Sequence, residues 1–143
     1  NLGRQSIAIS ADVLDDDARI AAVNQVVESL GGIDILINNA GGGGPNSIKK
    51  LSVKDFDHYL KFNVTTAYAF IKHSLPYLEK SEAGCIINIS SAAGRLIQPH
   101  FSAYGTAKAA LDQLTRQLAQ DFGAKGIRVN AIAPGPIRTD ALA

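Results

Sequence analysis

Residues 33–45 read Ile-Asp-Ile-Leu-Ile-Asn-Asn-Ala-Gly-Gly-Gly-Gly-Pro. A short apolar run that ends in amides and glycines reads as a strand running into a loop. Ile33 to Ile37 is apolar nearly throughout, the pattern of a parallel-sheet strand covered on both faces. Glycine loses the most backbone freedom on folding and packs nothing, so four in a row carry a cost. The run therefore predicts that something other than protein comes close to this backbone.

Working outward, the flanks supply the rest of a sheet. Ser6 to Ser10 reads as a short strand. Asp15, Asp16 and Asp17 open a helix, where carboxylates cap free amides and suit the positive end of the dipole. Ile20, Val23, Val27 and Leu30 form its apolar stripe, and Gly31-Gly32 stop it. Downstream, Ser52 with Asp55 three residues on has the form of a capping box. The helix it opens carries Phe56, Tyr59, Leu60 and Phe62, and Pro76 should break or kink it. Cys85 to Ile89 is a third strand. Ala103 to about Phe122 is a long helix striped by Ala107, Leu111, Leu114 and Leu118, and Gly123 and Gly126 close it. Ile127 to Ile132 is a fourth strand, followed by Ala133-Pro134-Gly135-Pro136. Alternating strands and helices predict a parallel sheet with right-handed crossovers, and one α/β domain.

Ligands of such sheets bind beyond the carboxyl ends of the strands. Asp12, the glycine run, Ser90-Ser91 and Pro134-Gly135 fall at those four ends, so the unusual residues gather at one edge.

Composition narrows the function. The 143 residues suffice for one domain with a core, and 46% hydrophobic against 19% charged residues excludes a disordered chain. A formal charge of +1 offers no basic face for nucleic acid. The single cysteine, Cys85, excludes an internal disulfide and fits a reducing compartment. No apolar run approaches the roughly 20 residues that span a bilayer, and no basic-then-apolar leader opens the chain, so a cytoplasmic location is expected. The absence of methionine predicts that Asn1 is not a translation start and that the sequence is processed or partial. His58, His73 and His100 lack metal-ligand spacing and read as surface or packing residues, and the triple Asp as a solvated helix start. No metal site is expected.

Tyr104-Gly105-Thr106-Ala107-Lys108 sets a phenol and an ammonium at i and i+4, on one helix face. A free tyrosine titrates near pH 10, too high for efficient proton exchange at neutral pH. A fixed cation nearby favours the phenolate and lowers that value. The pair alone also fits an exposed tyrosine packed on a lysine stem.

Its neighbours decide between the two. Asn38-Asn39-Ala40-Gly41, Asn63, Ser91, Tyr104-x-x-x-Lys108 and Pro134-Gly135-Pro136-Ile137-Arg138-Thr139 occur in one order, and together they resemble the short-chain dehydrogenase/reductase family over essentially all 143 residues. The resemblance implies a Rossmann-like, doubly wound parallel sheet in three α/β/α layers. It also implies an NAD(P)-dependent oxidoreductase that interconverts a secondary alcohol and a ketone by hydride transfer, with a small-molecule substrate, neither nucleic-acid nor membrane partners, and a homotetramer when full length. The tetramer's contact would lie on the helices at Ser52 to Pro76 and Ala103 to Phe122.

Carried over by position, Tyr104 would be the general acid in reduction and the base in oxidation. Lys108 would lower the phenol's pKa and hold the nicotinamide ribose. Ser91 would hydrogen-bond the substrate oxygen. Asn63 would hold a water that continues a proton relay. The resemblance also implies a cofactor-binding set of Asp12, Val13, Asn39, Ala40, Gly41, Tyr104, Lys108, Pro134, Gly135, Ile137 and Thr139, in which Asp12 meets the adenine and Thr139 the carboxamide. Each has a plainer rival. Ser91 would serve a strand-end turn, Asn63 would bond a local carbonyl, Asp12 would only cap the next helix, and Thr139 would be a turn residue.

The family usually has Gly41 but not Gly42, Gly43 and Gly44. The extended run looks most like bacterial 7α-hydroxysteroid dehydrogenases, and it implies room beside the nicotinamide for a wide, rigid substrate such as a bile acid. Gly43, Ser91 and Tyr104 then form the substrate contacts, and Gly43→Val should raise KM for a steroid far more than for a small ketone. The plainer reading is a surface loop without a substrate role. A 3-oxoacyl-carrier-protein reductase fits the same motifs, as does a non-catalytic nucleotide sensor, although intact Ser91, Tyr104 and Lys108 weigh against the latter.

The family's phosphate-binding Gly-x-x-x-Gly-x-Gly does not precede Ser6, the residue that selects NAD or NADP is absent, and so is the family's part expected after Ala143, with its substrate lid and last strand. Cofactor choice therefore stays open, with NAD favoured by the hydroxysteroid resemblance. The chain is expected to be part of a Rossmann-type domain lacking the N-terminal βαβ unit and the C-terminal part. Between its first strand and its second, the family's strand order inserts two others. The first should then lack a neighbour and the second should have a bare edge.

Overall fold

A computed structural model describes residues 3–137. The first helix, α1, spans Asp16–Leu30. The Asp15 carboxylate accepts from the Asp17 and Ala18 amides at its start, and Gly31, at φ 89°, closes it in the left-handed conformation that glycine tolerates best. Its inward face differs from the expected stripe. Arg19 and Val23 are buried, whereas Ile20 and Leu30 are exposed. Arg19 reaches back to the Val13 carbonyl and to Asp16, a partner for its charge inside the packing. His73 bonds the same carboxylate at 3.0 Å, and the two contacts, His73 foremost, hold Asp16 below the usual carboxylate range.

Three parallel strands follow: β1 at Ile35–Asn38, β2 at Cys85–Ile89 and β3 at Arg128–Ile132, in the order β1-β2-β3. Between β1 and β2 lie α2 (Val53–Leu60), a π-helical turn (Lys61–Thr65) and α3 (Thr66–Leu78); between β2 and β3 lie a short 3₁₀ turn (Ala92–Gly94) and α4 (Ser102–Gly123). The capping box forms, with Ser52 and Asp55 bonding each other's backbone. Pro76 does not break its helix. It sits in the last turn of α3, where its missing N–H removes the bond that the Lys72 carbonyl would otherwise accept, and the helix runs on to Leu78.

The core lies under one face of the sheet. Ile86 stands opposite Leu36 and Val129 in register, and Ile71, Leu78, Leu118 and Ile127 close over that row. Ile86 is fully buried, and truncating such a side chain to alanine costs about 2–5 kcal/mol. Beside this row runs a buried polar ladder that sequence reading does not suggest. The Asn38 amide donates to the Asn88 carbonyl oxygen, and Asn88 donates to the Thr115 hydroxyl on α4, each at 2.9 Å.

Two expectations about the sheet are corrected. Ser6 to Ser10 is not a strand and has no ladder partner among the described residues, because a strand's backbone groups are satisfied only by a neighbour. And β1 is not covered on both faces. Among the described residues helices cover one face, while Ile35 and Ile37 on the other are 58% and 59% exposed. The α/β Rossmann-like parallel sheet is present, with one helical layer described.

Candidate active site

The glycine run begins at the carboxyl end of β1, the neighbouring Ser90-Ser91 at that of β2, and Pro134 just beyond β3. The last two of these ends are tied together. Ser90 N–H donates to Ile132 O at 2.7 Å and Ala92 N–H to Pro134 O at 2.8 Å. Helix α4 is drawn close beneath by small residues. A Cβ on Gly94 would lie 2.8 Å from the Ala109 nitrogen, and one on Gly105 2.8 Å from the Ala93 carbonyl oxygen. The glycine inside Tyr104-Gly105-Thr106-Ala107-Lys108 is thereby explained by the approach of the Ser91 loop.

Lys108 is 4% exposed and its Nζ donates to Ile89 O at 2.8 Å, one residue from Ser90. Burial pushes the ammonium below the ordinary lysine range, and Asp112 one turn on pulls it partly back. The same Nζ lies 5.8 Å from the centre of the Tyr104 ring. Among the described residues the Tyr104 hydroxyl makes no hydrogen bond, either to Lys108 or to Ser91. Ser91 Oγ instead accepts from Ala93 N–H at 3.2 Å at the head of the 3₁₀ turn. The strand-end turn is therefore real, and it leaves the hydroxyl hydrogen free to donate elsewhere.

Asn63 lies in the π-helical turn and is 1% exposed. Its Oδ1 accepts from Gly42 N–H at 2.9 Å, and its Nδ2 donates to Gly42 O and to Tyr59 O, both at 3.0 Å. The local-carbonyl reading thus holds, but two of the three bonds pin the glycine loop. Both amide hydrogens are used, so one lone pair on Oδ1 is what remains for a water. Asn63→Ala would leave the half-buried Gly42 polar groups unpaired, at up to about 1–3 kcal/mol for a stranded group. A fall of that size in the urea-unfolding free energy of the full-length protein is expected, and an unchanged unfolding midpoint would show that the pin is unimportant.

The glycines divide by what their missing side chains would meet. A Cβ at Gly41 would lie 2.7 Å from Asn63 Oδ1 and 3.2 Å from Lys108 Nζ. Its absence lets the Asn63 amide and the Lys108 ammonium close on the loop, and that ammonium uses one of three donors among the described residues. A ligand bearing hydroxyls, such as a ribose, fits that donor set. At Gly43 the space belongs to the protein. A Cβ there would lie 2.7 Å from Tyr104 Cδ2 and closer still to the Tyr59 ring. The room expected for a substrate at Gly43 is thus occupied by the chain's own phenols. Gly44 faces nothing within 4 Å.

Of the other expected cofactor contacts, Asp12 does not cap α1, which Asp15 does. Its carboxylate accepts from Leu14 N–H at 2.8 Å and is exposed, and Val13 O is held by Arg19. Asn39, Ala40 and Gly135 are exposed, Pro134 half-buried, and Ile137 61% exposed. Thr139 lies outside the described residues. A cleft of about 330 Å³ between the 93–98 loop and the start of α4 is lined by Leu96, Ile97, Phe101 and Thr106, and not by Ser91, Tyr104 or Lys108. Among the described residues no helix is long and apolar enough to cross a membrane.

A helical tyrosine–lysine pair, a serine and a glycine loop thus lie at one edge of a parallel α/β sheet. Comparison with known proteins gives the family. The profile described as short chain dehydrogenase matches residues 1–143, and the chain belongs to this family of oxidoreductases. An uncharacterized oxidoreductase of Mycobacterium tuberculosis is 45% identical over 141 residues, 98% of this chain and 53% of the relative. The 7α-hydroxysteroid dehydrogenase of Escherichia coli K12 is 38% identical over 141 residues, 99% of this chain and 55% of the relative. A solved structure of a 7α-hydroxysteroid dehydrogenase, complexed with NADH and 7-oxo-glycochenodeoxycholic acid, superposes with a TM-score of 0.93 at 38% identity, covering 99% of this chain and 55% of that one. The chain spans about half the length of the curated relatives it matches.

Proposed function

We propose that the full-length protein interconverts a secondary alcohol and a ketone with NAD or NADP, and that its substrate is a hydroxysteroid. The observation that carries the reading is the tyrosine–lysine pair on α4, with the lysine buried against the carboxyl end of β2 and its Nζ beside Gly41.

The chain's residues divide the work. Tyr104 donates its phenolic proton to the ketone oxygen in reduction and takes it back in oxidation. Ser91 uses its free hydroxyl hydrogen to hold that oxygen, because its own lone pair is engaged by Ala93 N–H. The Lys108 ammonium lies 5.8 Å from the centre of the Tyr104 ring, and its spare donors hold the cofactor ribose at Gly41. Asn63 fixes the loop that carries Gly41 and offers its remaining lone pair to a water. Asp12 and Val13 receive the adenine end, Asn39, Ala40, Pro134, Gly135 and Ile137 complete the cofactor contacts, and Thr139 is assigned the carboxamide. A bound nicotinamide supplies or accepts the hydride.

The hydroxysteroid assignment is supported by similarity to the E. coli enzyme and by the glycine run, whose open side is at Gly44. Cytoplasmic location and a homotetramer are proposed on the family resemblance. The test is to assay the full-length protein with cholate, acetoacetyl thioesters and simple sugars against both cofactors, following absorbance of the reduced nicotinamide. Turnover restricted to the thioesters would replace the steroid reading by a 3-oxoacyl-carrier-protein reductase, and none with any alcohol or ketone would remove the enzyme reading.

The 143 residues alone are expected neither to melt cooperatively nor to turn over, because the Ile35 and Ile37 face and the outer edge of β1 are bare. A calorimetric scan checks this, and a sharp transition together with NADH oxidation by the isolated chain would refute it.

A further inference from the structure

We propose that Gly43 and Tyr59 are positioning residues for the Tyr104 phenol: both rings pack against Gly43 on the side where a Cβ would stand, and the missing Cβ is what lets both close on it. The inference rests on the reading of Tyr104 as the proton donor. It adds to that reading a role for two residues that touch neither the transferred proton nor the cofactor.

Three observations converge. A Cβ built on Gly43 would overlap Tyr59 Cε1 and sit 2.7 Å from Cδ2 and 3.0 Å from Cγ of Tyr104. Both rings therefore lie against the Gly43 backbone, one from α2 and one from α4. The loop cannot retreat, because its preceding residue, Gly42, is bonded through both N–H and C=O to the Asn63 side chain. Asn63 is in turn bonded to the carbonyl of Tyr59 itself, so one buried amide fixes the loop and the backbone of the clamping residue together. Gly43 also holds φ 157°, which side chains rarely adopt. The Tyr104 hydroxyl makes no hydrogen bond among the described residues, so packing on the ring face is what sets its direction before substrate binds.

A double-mutant cycle in the full-length protein tests this. Gly43→Ala is expected to lower kcat on the order of 30-fold, with KM and cofactor Kd within about threefold, because proton donation depends on sub-ångström placement while binding does not. Tyr59→Ala loosens one jaw and is expected to cost about three- to tenfold in kcat. The double variant is expected to recover to the level of Tyr59→Ala, since removing the Tyr59 ring gives the new methyl somewhere to go. A Gly43→Ala enzyme within threefold of wild type in kcat overturns the inference. So does a double variant no better than Gly43→Ala, which would assign the loss to backbone strain. If Gly43→Ala yields no folded protein, Tyr59→Ala carries the test through the same kcat-against-KM split, and an unchanged kcat overturns the inference. Tyr104→Phe run alongside separates the two layers. Full turnover in that variant removes the Tyr104 reading itself, whereas loss there with an unaffected Gly43→Ala removes only the clamp.

Discussion

Tyr104→Phe in the full-length protein is expected to reduce turnover on the order of 10³-fold, the scale of a lost general acid, with cofactor affinity nearly unchanged. The substitution deletes one oxygen and keeps the ring. Because that ring lies against Gly43, the phenylalanine has the same packing to occupy, and the loop, Lys108 and Asn63 keep their places. Stability should stay close to wild type, since among the described residues the deleted hydroxyl makes no hydrogen bond whose loss would strand a partner. Steady-state kinetics with cofactor fluorescence titration reads both quantities. A variant that keeps more than a tenth of wild-type kcat would place the proton on another group.

Lys108→Met is expected to cost on the order of 10²–10³-fold in kcat/KM, the size of losing one fixed charge aimed at a reacting group, and to weaken cofactor binding as well. It also carries a prediction about stability. Burial holds the ammonium below the ordinary lysine value of 10.5, against a partial opposing pull from Asp112. A lysine whose folded pKa is depressed binds fewer protons folded than unfolded between its two pKa values. Stability therefore rises with pH through that window, is complete above the unfolded value and is lost as pH falls through the folded one. The wild-type protein should thus gain stability relative to Lys108→Met as pH is raised from neutral towards 10.5. Urea midpoints of the two proteins at the ends of that range check the sign. Parallel pH profiles would mean that the ammonium is as well solvated folded as unfolded.

What could be read from the chain was what local chemistry dictates. Asp15 as a cap, the Ser52–Asp55 box and the Gly31 stop each involve residues within one turn, and all three form. The buried stripe of Ala107, Leu111 and Leu118 on α4 likewise needs only helical periodicity. Ser6 to Ser10 has strand composition but no ladder, because pairing is a property of the neighbour rather than of the segment. Arg19 lies outside the apolar stripe and is nevertheless buried, since its partner, the Val13 carbonyl, is supplied by the turn before the helix. The site divides along the same line. Tyr104, Lys108 and Ser91 were marked by spacing and order. Tyr59 was not, because its place in a helical stripe is indistinguishable from core packing until Gly43 is seen against its ring. The π-helical turn at Asn63 was equally illegible, as it depends on a side chain bonding a loop 21 residues away in sequence.

The central claim is direct hydride transfer at the Tyr104 site, and isotope transfer tests it most directly. The full-length protein would be given a 7-oxo steroid and NADH or NADPH deuterated at C4 on one face or the other, and the alcohol analysed by mass spectrometry. One deuterium on the carbinol carbon is predicted with one cofactor face and none with the other, and Tyr104→Phe should lower the rate without changing which face is used. Alcohol formed without deuterium from either face would contradict the account.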